Sequence, residues 1–164
     1  MKSPGFEAFL RESGPALLRL GNLLTLDRGA AEDLAQETYI RVGLAWSRVR
    51  RDGNPVGYAR RTMVNLFLNS KRRTQPTPVP QVLETPRDDA GLAAVDSAAV
   101  IRQILAGLPA QQRAALALRY LDDLPDAEIG ALLGCTPATV RSHLSRGLAT
   151  LRTRMKGEHD ARRP

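Results

Sequence analysis

Few side chains in this sequence could do covalent or acid–base chemistry: Asp33 and Glu37, spaced one helical turn apart, His143, and the lone cysteine Cys135. A carboxylate pair or a histidine works as acid, base or metal ligand only with partners. No nucleophile set, phosphate loop or metal-ligand spacing accompanies any of these. The two histidines stand far apart and a single cysteine can form no intramolecular disulfide, so no cofactor or metal is expected. Cys135 reads as a small packing residue and His143 as a surface or phosphate-facing one. The expectation is a protein that binds and is not an enzyme.

The binding chemistry on offer is that of a polyanion partner. The 164 residues carry a net charge of +7, unevenly distributed: +6 over residues 1–73, −3 over 74–96 and +4 over 97–164. Between Arg41 and Arg73 stand nine basic residues, with Asp52 as the one acidic group. On a helix predicted from Pro55, Tyr58, Arg61, Asn65, Asn69 and Arg72 fall along one face at steps of three or four. An aromatic plane, amides and cations on one face suit unstacked bases and their backbone. A plainer alternative stays open, in which Tyr58 packs against the preceding helix and the arginines extend into water.

Nearer the C-terminus, Leu133-Gly-Cys-Thr-Pro137 supplies a glycine for positive φ, a threonine cap and a proline suited to a first helical turn, which is a helix-turn-helix pattern. Gly130 provides a small residue where the two helices cross. Val140, Leu144, Leu148 and Leu151 form the inward stripe of the second helix, leaving Ala138, Arg141, Ser142, Ser145 and Arg146 outward. Arginine and serine there can read base edges or phosphate in a major groove. A short helical hairpin with a solvated face fits the same residues.

These elements imply an all-α chain. Hydrophobic residues make up 43% of it and aromatics 4%, and no stretch approaches the roughly 18 uninterrupted apolar residues of a membrane span, so a cytoplasmic protein is expected. The prolines at 76, 78, 80 and 86 mark 74–91 as an extended acidic linker, separating a domain at 1–73 from one at 92–156, with an unstructured tail at 157–164. Helices are expected near Pro4–Leu24, bent or divided at Gly14-Pro15, then Arg28–Val49 capped by Asp27, and Pro55–Arg73 capped by Asn54. Those after the linker are expected at Asp96–Ala106, Ala110–Leu121, Asp126–Leu133 and Pro137 to about Met155. On the second helix Ala31, Leu34, Ala35, Thr38, Val42, Ala45, Trp46 and Val49 form the buried stripe. The opposite stripe of Glu32, Asp33, Gln36, Glu37 and Ile40 is either a solvated face or a dock for a basic protein surface.

Ala31-Glu-Asp-Leu-Ala-Gln-Glu-Thr-Tyr39, Asn54–Arg73, Leu108-Pro-Ala-Gln-Gln-Arg113, Leu118-Arg-Tyr120 and Glu128 to Arg152 together resemble an extracytoplasmic-function sigma factor of bacterial RNA polymerase, over about residues 5–155 with the linker unmatched. The resemblance implies that Asp33, Gln36, Glu37 and Ile40 contact the clamp coiled coil of the largest polymerase subunit, with the flap region as a further contact. It implies that Arg48, Arg51, Asn54, Tyr58, Arg61, Asn65, Asn69 and Arg72 hold the melted minus-ten strand. Thr139, Arg141, Ser142, Ser145 and Arg146 match the positions that read the minus-thirty-five element, and an anti-sigma protein enters as a further partner. Three positions depart from the pattern: Leu26 stands where a glycine usually ends the first helix, Gly43 replaces a bulkier residue and Gly130 replaces alanine. The competing expectation is a helix-turn-helix regulator binding duplex operator DNA without polymerase, which leaves residues 28–73 unexplained.

Overall fold

The computed structural model describes residues 5–73 and 92–161, with side chains from residue 99 onward in the second stretch; the expected linker at 74–91 lies outside the described residues. The described residues form eight helices: α1 (Phe6–Thr25), α2 (Arg28–Leu44), α3 (Trp46–Asp52), α4 (Pro55–Arg73), α5 (Leu92–Ala106), α6 (Ala110–Tyr120), α7 (Asp126–Leu133) and α8 (Pro137–Ala161). Two bodies result. In the first, α1 packs on α2, and α4 closes against both; in the second, α6, α7 and α8 pack on one another while α5 lies on α8.

Local chemistry sets most boundaries. Asp27 Oδ1 accepts from Ala30 N at 2.8 Å and Asn54 Oδ1 from Gly57 N at 2.9 Å, as capping residues do at the starts of α2 and α4. Leu26 ends α1 in the left-handed region (φ 57°), a strained state for a side chain with a Cβ. Its own burial, at 7% exposure, holds it there.

Tertiary packing overrode the local signals at two places, and a third departure lies in the exposed end of α8. The α1 helix is not divided at Gly14-Pro15: Phe9 before the proline and Leu17, Leu20 and Leu24 after it are buried on one side, and Tyr39 of α2 donates to Gly14 O at 3.4 Å. The expected helix Arg28–Val49 is instead two, broken at Ala45 (φ −98°, ψ 7°). That break brings Trp46 into an aromatic group with its ring 5.2 Å from Phe6 and 5.3 Å from Phe9. Gly43 makes room for the same group, since a Cβ there would lie 3.1 Å from the Phe6 ring. Finally, the tail expected to lack structure from 157 is helical to Ala161.

The helix-turn-helix is α7–turn–α8. Gly134 takes φ 71°, Thr136 Oγ1 accepts from Thr139 N at 3.2 Å, and Val140 is fully buried. Gly130 is needed for the turn itself: a Cβ there would sit 2.6 Å from Cys135 O, so the turn backbone folds directly over it. Gly147 lets Leu116 of α6 approach α8, which the Val140–Leu151 stripe did not anticipate.

The two bodies are not separate beads. α1 meets α6, and α4 meets both α6 and α7, so that buried residues of both bodies belong to one hydrophobic cluster.

Candidate nucleic-acid and protein interfaces

On α8, Thr139, Arg141, Ser142, Ser145 and Arg146 are all exposed. The Thr139 and Thr136 hydroxyls share a hydrogen bond of 2.9 Å, so Thr139 serves the turn as well as the outer face. Asp126, the first residue of α7, accepts from Arg119 of α6 through one oxygen and from Arg141 through the other at 3.5 Å. One carboxylate thereby ties the base of the helix-turn-helix to an arginine on its outward face. Cys135 in the turn is half-buried, and burial pushes its thiol pKa up, which disfavours the thiolate.

On α4, Arg61, Asn65, Asn69 and Arg72 stand along one exposed face as the helical spacing required. They are not open to bulk solvent on every side. With Leu68 they line a cleft of about 270 Å³ whose other wall is Ala131, Leu132, Leu133 and Gly134 of α7 and the turn. Tyr58 is half-buried against the first body, and the Arg48 guanidinium lies 5.8 Å from its ring centre and donates to its hydroxyl at 3.4 Å. The ring is thus partly packed, yet its neighbour is a cation. Arg51 is exposed at the end of α3, and Asn54, also exposed, has its side-chain oxygen engaged in the α4 cap.

On α2, Asp33 and Gln36 are exposed, and Glu37 accepts from Arg41 Nε at 2.9 Å in an exposed ion pair worth little to stability. Ile40 is 52% exposed and Leu44 86%, one helical turn apart along the edge of this acidic stripe. Leu44 was not among the expected contact residues. Its only signal was an unbroken continuation of the Asp33–Glu37–Ile40 line, which the expected helix Arg28–Val49 already contained.

The residues that join the two bodies were also missed. Arg60 Nε of α4 donates to Asp122 Oδ2 at 2.9 Å, with side chains 22% and 13% exposed. Arg113, 6% exposed within the apolar run of α6, donates to the carbonyls of Leu105 (3.1 Å) and Ala106 (3.5 Å) and lies 5.4 Å from the Phe67 ring centre of α4. A buried arginine among alanines and leucines is a visible anomaly in sequence; a pairing across 62 residues is not.

A helix-turn-helix with exposed Arg and Ser, beside a second helix of cations and amides, defines a DNA-binding protein built from two helical bodies. The family described as Sigma-70 region 2 matches residues 9–77, and that described as Sigma-70, region 4 matches residues 98–151. The chain is 33% identical over 149 residues to the RNA polymerase sigma-E factor of Streptomyces coelicolor, covering 90% of this chain and 84% of that one. It is 34% identical over 146 residues to the ECF RNA polymerase sigma factor ShbA of Streptomyces griseus, covering 82% and 76%. Its fold is similar to that of the sigma factor RpoE solved in complex with the anti-sigma factor NepR from Bartonella quintana, with a TM-score of 0.75, 22% identity, and coverage of 94% and 98%. The chain belongs to the extracytoplasmic-function (ECF) sigma factors of RNA polymerase. It binds the polymerase core and directs promoter-specific initiation, and the reading as a polymerase-independent operator binder is not favoured. No described helix is long and apolar enough to cross a membrane.

Proposed function

We propose that three faces of this sigma factor divide its work. The α2 stripe of Asp33, Gln36, Glu37 and Ile40, extended by Leu44, docks on the clamp coiled coil of the largest polymerase subunit, and the second body reaches the flap region. The α4 face of Tyr58, Arg61, Asn65, Asn69 and Arg72, with Arg48, Arg51 and Asn54 at its head, holds the melted minus-ten strand. The α8 face of Thr139, Arg141, Ser142, Ser145 and Arg146 reads the minus-thirty-five element as duplex. The chain does this by binding alone, without catalysing a reaction, in the cytoplasm where the polymerase works, and an anti-sigma protein is its proposed inhibitor.

The observation that carries this reading is the segregation of charge and apolar exposure. An acidic face edged by Ile40 and Leu44, at 52% and 86% exposure, repels phosphate but suits a basic protein groove. The α4 and α8 faces have the opposite character. Glu37→Lys should lower core affinity about tenfold while helicity by circular dichroism stays unchanged. Pull-down of core by this variant at the parent level would remove α2 as the docking face.

A further inference from the structure

Asp126 stands where three helices of the second body meet, and its two carboxylate oxygens serve different arginines. Oδ1 accepts from Arg119 of α6, and Oδ2 accepts from Arg141 Nη1 of α8 at 3.5 Å. We propose that Asp126 is a positioning residue for promoter reading. It holds the Arg141 guanidinium in the orientation that meets a base edge of the upstream element, and so sets discrimination at that base pair, a role that rests on the assignment of the α8 face made above.

Local structure delivers the carboxylate to that point. After α6 the buried Leu124 turns inward and its N–H closes on Leu118 O at 3.2 Å, and Pro125 (φ −72°, ψ 160°) then leads into α7 with Asp126 as the first residue. A first helical turn favours an acidic side chain, and here both oxygens turn to neighbouring helices. Exposure decides which partner is the anchor. The Asp126 and Arg119 side chains are 25% and 31% exposed and Arg119 Nε is buried, so this pair is fixed in the body. Arg141, at 63% exposure and with a contact at the outer limit of a hydrogen bond, is the movable member.

An arginine carries its N–H donors in a planar fork, and Asp126 engages one nitrogen of Arg141, leaving the others for guanine O6 and N7. A long side chain free in water must be ordered when it meets DNA, and a contact already made in the folded chain removes part of that cost. A carboxylate beside the groove face also repels phosphate, and it does so whatever the sequence. Asp126 therefore lowers overall affinity while raising discrimination at one base pair, a combination that a residue serving only the fold would not produce. Arg146, further along the same exposed face, has no ion pair among the described residues and supplies the internal comparison.

The test uses the full chain assembled with polymerase core and reads holoenzyme binding to every single-base-pair variant of the upstream element at fixed salt. Asp126→Asn keeps the side-chain shape and one acceptor oxygen for Arg119, but puts an amide N–H₂ where Arg141 needs an acceptor. A circular-dichroism melt checks its folding; if it unfolds, Asp126→Asn combined with Arg119→Gln gives the same readout with no half-buried charge left unpaired. Arg141→Ala should lose about tenfold or more in discrimination at one base pair. Asp126→Asn should lose about three- to tenfold at that same pair, the factor that ordering one flexible side chain is worth, with no change at the pair read by Arg146 and no fall in affinity for the other variants. Added to Arg141→Ala, it should change discrimination no further. Equal weakening of all variants by Asp126→Asn, or the parent's preference at the Arg141 pair, would overturn the positioning role and leave the α8 assignment standing on the single-pair loss in Arg141→Ala. Should Arg141→Ala itself weaken every variant alike or change none, base reading by Arg141 fails and the positioning role fails with it.

Discussion

The faces of α4 and α8 offer nucleic acid nearly the same side chains, arginines interleaved with short polar groups, yet they differ in what lies opposite and beneath them. Opposite α8 the described residues place nothing but the Asp126 contact to Arg141, whereas opposite α4 stands the wall of α7. Beneath α4 lie Ala59, Met63, Val64, Phe67 and Leu68, all buried; beneath α8 only Val140 and Gly147 are. One helix is therefore an integral part of the core whose exposed outer face forms one wall of a cleft, while the other rests on the core with no described residue walling its outer face. Equivalent surface chemistry in a sequence does not imply equivalent surroundings in the folded chain.

The largest difference should appear in stability. Phe67→Ala removes a ring with 1% exposure that touches both bodies, and it should cost about 3–5 kcal/mol in urea unfolding. Truncating half-buried Leu148 in α8 should cost about 1–2 kcal/mol. Equal losses would show that α8 is as deeply seated as α4 and would break the comparison.

A smaller effect sharpens the functional side. If the free α8 face reads bases, Arg146→Ala should lose roughly 1–3 kcal/mol at one position of the upstream element and little at others. Binding of holoenzyme to single-base variants at fixed salt measures this, since ionic strength alone shifts affinity. Uniform weakening would make Arg146 a phosphate clamp.

The smallest effect has the opposite sign. Lys71→Gln relieves a repulsion with Arg113 and should stabilise the folded chain by a few tenths of a kcal/mol, discounted because this side chain is largely in water. The same relief comes with pH: a base whose folded pKa is depressed imposes its penalty below that value and loses it as pH rises toward the ordinary lysine range. A urea midpoint that falls on this substitution would show that Lys71 supports the α4 side of the junction.

Sequence by itself determined the helices of this protein wherever local chemistry governs them. The Asp27 and Asn54 caps, Pro55 and Pro137 at helix starts and Gly134 in its turn are choices made within a few residues, and their spacing also placed the Asp33, Arg61 and Arg141 faces outward. Extending one helix through Ala45 failed because the break there depends on Trp46 meeting Phe6 and Phe9, rings distant in sequence. Of the bend or division expected at Gly14-Pro15, the division failed because burial on both sides of the proline outweighs one lost hydrogen bond. The pairing of Arg60 with Asp122, the seat of Arg113 on Phe67 and the wall facing Arg72 were decided by tertiary structure alone. Periodicity tells which side of a helix is apolar, but which distant surface meets its polar side depends on how two bodies pack, and no local pattern encodes that.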